Sequence, residues 1–316
     1  MTEFLSLGQV AAAMGGSSGL RVRTGPYSFV MRSRLPEVHR AVTHLYRAHL
    51  QVPSSDFVDF DVEVARPANW RRWWKPQVVF LLDGRDPFNP LPGDQGFPLL
   101  EWGMNWCIYS LCHQHLTLHA AVVERGGRAL ILPAPSGSGK STLCAALLFS
   151  GWRLLSDELT LLCPQQRNVI PIPRPVSIKN QSIEVLQRFA PAIEFGSKVL
   201  ETSKGVVAHF RPPAEAVAAL DRRAEPGWVV LPKFVVGSPT RMRPLERARA
   251  LMYLIENAFN HNMFGVEGFE LLASVVDRSV CFALEYSDLA EAVALFARLA
   301  DEGTIDPRFI VQDGGS

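Results

Sequence analysis

The sequence predicts an α/β protein, and three observations carry that prediction. The apolar run ALILPA (129–134) reads as a buried strand and passes directly into the glycine- and serine-rich stretch PSGSGKS. STLCAALLFSG follows as a helix ending at Gly151. Strand-like segments (WRLLSDELTLL, PKFVVGS, SVCFALEY) then alternate with helical ones (LERARALMYLIENAF, DLAEAVALFARLA). At 316 residues and 47% hydrophobic composition, the chain can bury one large core or two modest ones.

Taken in order, residues 20–34 (LRVRTGPYSFVMRSR) alternate with the period of a half-buried strand, and PEVHRAVTHLYRAHL repeats at helical spacing. VDFDVEVA and QVVFLLDG read as strands, NWRRWWKP lies between them, and DPFNPLPGDQGFP is a loop rich in breakers. Residues 1–100 are therefore expected to form an α+β subdomain, and 101–316 the domain that carries the glycine loop. LLEWGMNWCIYSLCHQHL is apolar every three to four positions and predicts a helix. TLHAAVVERGGRALILPA predicts a hairpin turning at Arg125, Gly126 and Gly127. Residues 164–213 are rich in Pro, Lys and Arg and predict irregular or hairpin structure, and the tail QDGGS a loose end. No internal repeat is visible.

Charge and composition narrow the partners. Thirty-two basic against 31 acidic side chains leave a formal charge of +1, so no global field draws the chain to nucleic acid or an anionic membrane. The first 16 residues lack a basic cluster before their apolar stretch, unlike a secretory signal, and no run of about 18 apolar residues occurs. Five scattered cysteines fit reduced thiols better than a disulfide framework. The expectation is a cytoplasmic protein. NWRRWWKP could stack on a peptide or a base, but packing with cation–π contact is the better reading of such a run.

The stretch LPAPSGSGKST, Leu132 to Thr142, has the spacing of a phosphate-binding loop: Ala134, Pro135, Ser136, Gly137, Ser138, Gly139, Lys140 and Ser141, with Ala134 where the pattern has Gly. Successive backbone N–H groups must point inward to hold phosphate oxygens, which requires glycines where side chains would block the approach and a helix N-terminus beneath. Lys140 is expected to reach the β and γ phosphates of ATP, and Ser141 to put its hydroxyl on Mg2+. A strand before the loop and a helix after it set it apart from an ordinary Gly/Ser turn.

Asp157 and Glu158 follow Lys140 by 17 and 18 residues, enough for one helix and a turn back to the sheet. Adjacent strand residues face opposite ways, but at a strand end both carboxylates can turn to the phosphates, Asp157 towards Mg2+ and Glu158 towards an incoming hydroxyl. A surface acidic pair is the plainer alternative. The flanks LL and LTLL argue for a buried strand end instead. His119 starts the strand AAVVE, whose hairpin partner leads into the loop. Cys107, Cys112, His113 and His115 invite a metal reading, but their spacing fits no zinc pattern.

The stretch LHAAVVERGGRALILPAPSGSGKSTLCAALLFSGWRLLSDELTLL resembles the core of HPr kinase/phosphorylase and, more closely, the bacterial HPr-kinase-related kinases. That family has a histidine on a hairpin strand, a phosphate loop, a helix ending in Gly and a strand ending in paired carboxylates. The spacing of 21 residues from His119 to Lys140 and 18 from Lys140 to Glu158 matches it without a gap. The resemblance implies a P-loop kinase domain of the HPr kinase/PEP carboxykinase-like type, ATP and Mg2+ as cofactors, Glu158 as the general base and His119 as its assistant. Glu158 departs from the family's aspartate, and the extra methylene moves the base by about 1 Å. The likeness spans residues 117–163. The family's later metal-binding glutamate and phosphorolysis segment find no counterpart, so kinase activity is better supported than phosphorolysis, and HPr is not the expected substrate.

The implied reaction is transfer of the γ-phosphoryl group of ATP to a hydroxyl, a serine of a peptide or small protein. Two alternatives stay open: a small-molecule acceptor, and a nucleotide-binding regulatory protein that does not transfer phosphate. Arg174, Lys179, Lys204, Arg211, Arg241 and Arg243 are candidate clamps for phosphate or acceptor. The family assembles as oligomers, and a homo-oligomer is left open here.

Overall fold

The computed structural model describes residues 4–52, 57–67, 74–135 and 137–310. It is a mixed α/β structure whose contacts divide it into two units. The first holds the residues up to Leu111 together with Arg174–Ile183 and Ile193–Leu220; the second holds Cys112–Pro173, Glu184–Ala192 and the residues from Asp221 on. Residues 69–73 of NWRRWWKP and the tail QDGGS lie outside the described residues.

The first unit opens with α1 (Leu7–Gly15), started by a reciprocal capping box: the Ser6 hydroxyl accepts the Gln9 N–H, and the Gln9 side chain accepts the Ser6 N–H. Residues 20–34, expected as one strand, fold back at Gly25 (φ 60°) into β1 (Leu20–Thr24) and β2 (Tyr27–Ser33). Next come α2 (Pro36–Leu45), β3 (Phe60–Ala65), β4 (Gln77–Leu82) and the short β5 (Leu91–Pro92). The sheet order is β1-β2-β3-β4-β5, with β3 parallel to β2. Helix α3 (Gly96–Leu111) packs on β3 and β4. Gly103 permits it, because a Cβ there would sit 2.2 Å from the Phe80 ring.

The chain then enters the second unit with β6 (Leu116–Arg125), β7 (Arg128–Pro133), α4 (Lys140–Leu148), β8 (Arg153–Ser156), β9 (Leu159–Leu162) and β10 (Val169–Ile170). The predicted β6–β7 hairpin is present and turns at Gly126 and Gly127, both at positive φ. Residues 164–213 were expected to form irregular or hairpin structure. They hold β11 (Val176–Lys179), α5 (Gln181–Phe189), β12 (Val199–Thr202) and β13 (Gly205–Phe210), the strands forming a small antiparallel sheet in the first unit. Strands β12 and β13 do form a hairpin. A short α6 (Ala214–Ala218) follows.

The last stretch is β14 (Glu225–Phe234), β15 (Arg241–Pro244), α7 (Arg247–Glu256), α8 (His261–Asp277), β16 (Val280–Tyr286) and α9 (Leu289–Glu302). Strand β14 starts seven residues before the segment PKFVVGS that composition suggests. Its Pro232 lies beyond the last pair with β7, Val229↔Ile131, where the missing N–H breaks no ladder on that side. Helix α8 was not expected at all. Gly265 (φ 53°, ψ −127°) kinks it, yet Leu271, Leu272, Val275 and Val276 continue the helix and are buried.

Among the described residues the second-unit sheet runs β10-β9-β6-β7-β14-β16-β15, with β8 also on β6, and β14 is parallel to both β7 and β16. Leu116, Leu118, Ala120 and Val122 of β6 pack with Ala129 and Ile131 of β7 against Ala250, Leu254, Leu271, Leu272 and Val275 of α7 and α8. Strand alternation gives the opposite face to Thr117, His119, Ala121 and Val123. Helix α4, absent from that core yet packed on β6 and α9, covers this second face. Among the described residues no helix is long and apolar enough to cross a membrane.

Candidate active site around the glycine loop

Strand β7 ends at Pro133 and α4 begins at Lys140, so the glycine stretch is the loop between them. Ser136 lies outside the described residues. Gly137 and Gly139 both have φ 87°, the left-handed region that side chains disfavour. Ala134 and Lys140 are buried, Ser138, Ser141 and Thr142 half-buried, and Pro135 and Gly137 exposed. No side chain caps α4 at Gly139; the Lys140 N–H donates to the Ser138 hydroxyl at 3.4 Å, and the first helical bond runs from the Leu143 N–H to the Gly139 carbonyl.

Two bonds from neighbouring strands brace the loop. The Phe234 N–H donates to the Ser138 carbonyl at 2.9 Å, and the Tyr286 hydroxyl donates to the Gly139 carbonyl at 3.1 Å. Phe234 ends β14 and Tyr286 ends β16, so three parallel strands converge at their carboxyl ends, where open α/β sheets carry their sites. Gly139 fits only without a side chain, since a Cβ would lie 2.5 Å from the Tyr286 hydroxyl and 3.0 Å from the Phe234 Cβ.

WRLLSDELTLL forms two strands, and the acidic pair lies just past the end of the first, as a strand end there requires. Strand β6 pairs Val122 with Ser156 and His119 with Leu159, one unchanged register, while Asp157 and Glu158 leave the ladder between them. The cause is local: the Ser156 hydroxyl accepts the N–H of Glu158 at 3.4 Å and of Leu159 at 3.1 Å, a hydroxyl turn competing with strand pairing. Asp157 is buried and Glu158 half-buried. On the other edge of β6, Ala120 pairs with Pro133, the last residue before the glycine loop. Acidic turn and loop entrance thus flank β6 at one level, two strand spacings or about 10 Å apart. The Cys144 thiol of α4 reads the charge between them: burial and then the Asp157 carboxylate push it up, while the Lys140 ammonium pulls it down.

His119 sits at that same level, half-buried, across from Leu159. Its other neighbour was not visible in the sequence. Where β7 leaves the edge of β6, the segment 257–259 takes over: Leu118 bridges Ala258, the His119 N–H donates to the Asn257 carbonyl at 2.7 Å, and the Phe259 N–H donates to the Thr117 carbonyl at 2.9 Å. Buried Asn260 clamps the strand, its Oδ1 accepting the Thr117 N–H at 2.9 Å and its Nδ2 donating to the His115 carbonyl at 3.0 Å. The Phe259 ring lies 6.0 Å from the imidazole.

The suggested basic clamps distribute differently. Arg174, Lys179, Lys204 and Arg211 belong to the first unit. There Arg174 is buried against Asn105 and Glu101, and Arg211 pairs with Glu194 at 2.8 Å. Arg241 and Arg243 are exposed on the edge strand β15. A cavity of about 330 Å3 lined by Phe4, Leu7, Arg40, His44 and Arg47 also lies in the first unit and involves none of the predicted site residues. Among the described residues no group of three or more His, Cys, Asp or Glu side chains could hold a metal ion on its own.

Comparison with known proteins gives a family first. The model of a family described as SynChlorMet cassette protein ScmC matches residues 102–177, a span that includes His119, the glycine loop and the acidic pair. A particular structure comes second: that of the Hpr(Ser) kinase/phosphatase from Coxiella burnetii is 14% identical, with 59% of this chain and 99% of that chain covered and a TM-score of 0.25. No curated protein matches.

Proposed function

We propose that this chain is a P-loop phosphotransferase of the HPr kinase type, transferring the γ-phosphoryl group of ATP to a hydroxyl, a serine of a peptide or small protein. The observation that carries the reading is the meeting at one level of β6 of the braced glycine loop, the acidic turn and His119. The resemblance of residues 117–163 to that family supports the same assignment.

The local chemistry fits a nucleotide. Two glycines at positive φ, helix α4 without a side-chain cap and the Lys140 ammonium together suit a triphosphate, whose charge is held by amides and a cation. Ser136 to Thr142 would line it. Ser141 and Asp157 would hold Mg2+, whose chemistry is to neutralise charge on the β and γ oxygens.

In the transfer, Glu158 takes the proton of the acceptor hydroxyl as its oxygen bonds to the γ phosphorus. The bond from that phosphorus to the β–γ bridging oxygen breaks, and ADP departs with those electrons. His119 supports Glu158 from the neighbouring strand. Catalysis of this kind is mostly positioning, and the two braces on the loop supply it.

The test is incubation with γ-labelled ATP, Mg2+ and serine-containing peptides or small metabolites, with Lys140→Ala as control. Label on a polypeptide that is lost in Lys140→Ala supports the reading, and label on a metabolite moves the acceptor class. ATP that binds and stays intact with every acceptor overturns it.

A further inference from the structure

The site described above leaves one neighbouring surface unused. Met252, Phe259, Met263, Val266 and Phe269 are between 45% and 74% exposed, within 18 residues of α7 and the first part of α8. Single exposed apolar side chains are ordinary, but four on one helix pair whose other side is core, with Phe259 in the link between them, are not. From 250 to 276 the chain carries no Lys or Arg, while Glu256, Glu267 and Glu270 are exposed among the apolar residues. Beyond Arg247 and Arg249 in the first turn of α7, the surface is therefore apolar and acidic. It also touches the site, because Phe259 lies against the His119 ring and the segment 257–259 occupies the edge of β6 where β7 turns into the glycine loop.

Resting on the phosphotransferase reading, we propose that this α7–α8 face docks the acceptor, and that the acceptor offers its hydroxyl from a basic, apolar peptide segment. Charge selects the occupant: cationic side chains pair with the three glutamates while apolar ones cover Met263, Val266 and Phe269. A second copy of this chain fits worse, since a two-fold contact through the same face would bring the glutamates of both copies together. The step from docking to transfer is short, because one end of the face is Phe259, beside His119.

The experiment uses the full chain and two labelled 12-residue peptides, one with a central serine among Lys and Leu, the other with Glu replacing every Lys. Fluorescence anisotropy reads binding, and γ-labelled ATP reads transfer. The expected result is binding of the Lys peptide alone, weakened about tenfold or more by Met263→Lys and by the pair Glu267→Lys with Glu270→Lys. ATP affinity and the thermal melt of the variants should stay unchanged. Lys-peptide binding that ignores these substitutions, or no binding to the unaltered chain, overturns the proposal. An oligomer that dissociates on Met263→Lys without loss of peptide binding gives the face to a second copy and overturns it too. Binding that follows the substitutions without any transfer leaves the docking face standing and counts against the phosphotransferase reading instead.

Discussion

The Tyr286 hydroxyl donates to the Gly139 carbonyl at 3.1 Å, tying the last residue of β16 to the residue that opens α4. Burial pushes the Tyr286 phenol up, so the donor keeps its hydrogen at every pH used for assay. The bond fixes the glycine loop to the sheet rather than leaving it to its own turns, which join residues only two or three apart.

Removing this brace and crowding it should differ in a defined way. Tyr286→Phe is expected to cost about 1 kcal/mol in urea unfolding and to weaken ATP binding modestly. Gly139→Ala places a side chain at φ 87°, strained by about 1–2 kcal/mol, and drives its Cβ into the Tyr286 hydroxyl. ATP affinity should fall by at least about tenfold. The double variant should be less impaired than the two losses added, since the phenylalanine lacks the oxygen that is hit. Strict additivity would contradict the brace.

Asn260 should matter to the site although it lies outside any motif. Asn260→Ala removes the hydrogen bonds to Thr117 of β6 and to His115 just before it, and leaves the buried Thr117 N–H without its acceptor, for a loss of about 2 kcal/mol in chemical denaturation. Because Thr117 lies two residues from His119, the transfer rate should fall while ATP affinity holds. Asn260→Asp, which keeps the acceptor, should recover part of both.

At the far end of β6 the buried pair Glu124 and Arg153, joined by the exposed Arg222, should contribute to acid stability. Glu124 lies 2.5 Å from Arg153 and also accepts from Arg222 and from the Gly127 N–H. Burial opposes its charge, but Arg153, the Gly127 amide and Arg222 outweigh that and hold the carboxyl below its ordinary value of 4.5. Below that ordinary value the unfolded chain takes up a proton that the folded chain still refuses. Stability from this group is thus full above about pH 4.5 and is lost as pH falls through the folded-state value. Glu124→Gln should lower stability at neutral pH by about 3 kcal/mol, leaving Arg153 buried without its anion. It should also flatten the acid limb of a plot of Tm against pH. An acid limb as steep as that of the unaltered chain would contradict the assignment.

What the sequence made legible was local. The β6–β7 hairpin turns on two adjacent glycines, and the glycine loop sits between an obvious strand and an obvious helix. What it concealed depends on contacts across the chain. Asn260 meets Thr117 from 143 positions away, and nothing in FNHN announces that. The break at Asp157 and Glu158 comes from the Ser156 hydroxyl, which composition reads as one more strand residue. Helix α8 was hidden by Gly265 and Gly268, whose propensity cost is outweighed by burial of Leu271, Leu272 and Val275. The segments 174–183 and 193–220 pair with each other, as at Val176↔Phe210, and meet the amino-terminal residues through contacts such as Arg174 with Asn105 and His209 with Phe97, which no periodicity encodes.

The most direct test of the account is the split between binding and transfer in Glu158→Gln. The substitution keeps size and hydrogen bonding while removing the proposed base. ATP affinity, measured by calorimetry with Mg2+ present, should stay within about threefold of the unaltered chain, and the rate of phosphoryl transfer to an accepted substrate should fall about 10²-fold or more. Turnover at the unaltered rate would contradict the account, because Glu158 could not then be the group that takes the acceptor's proton.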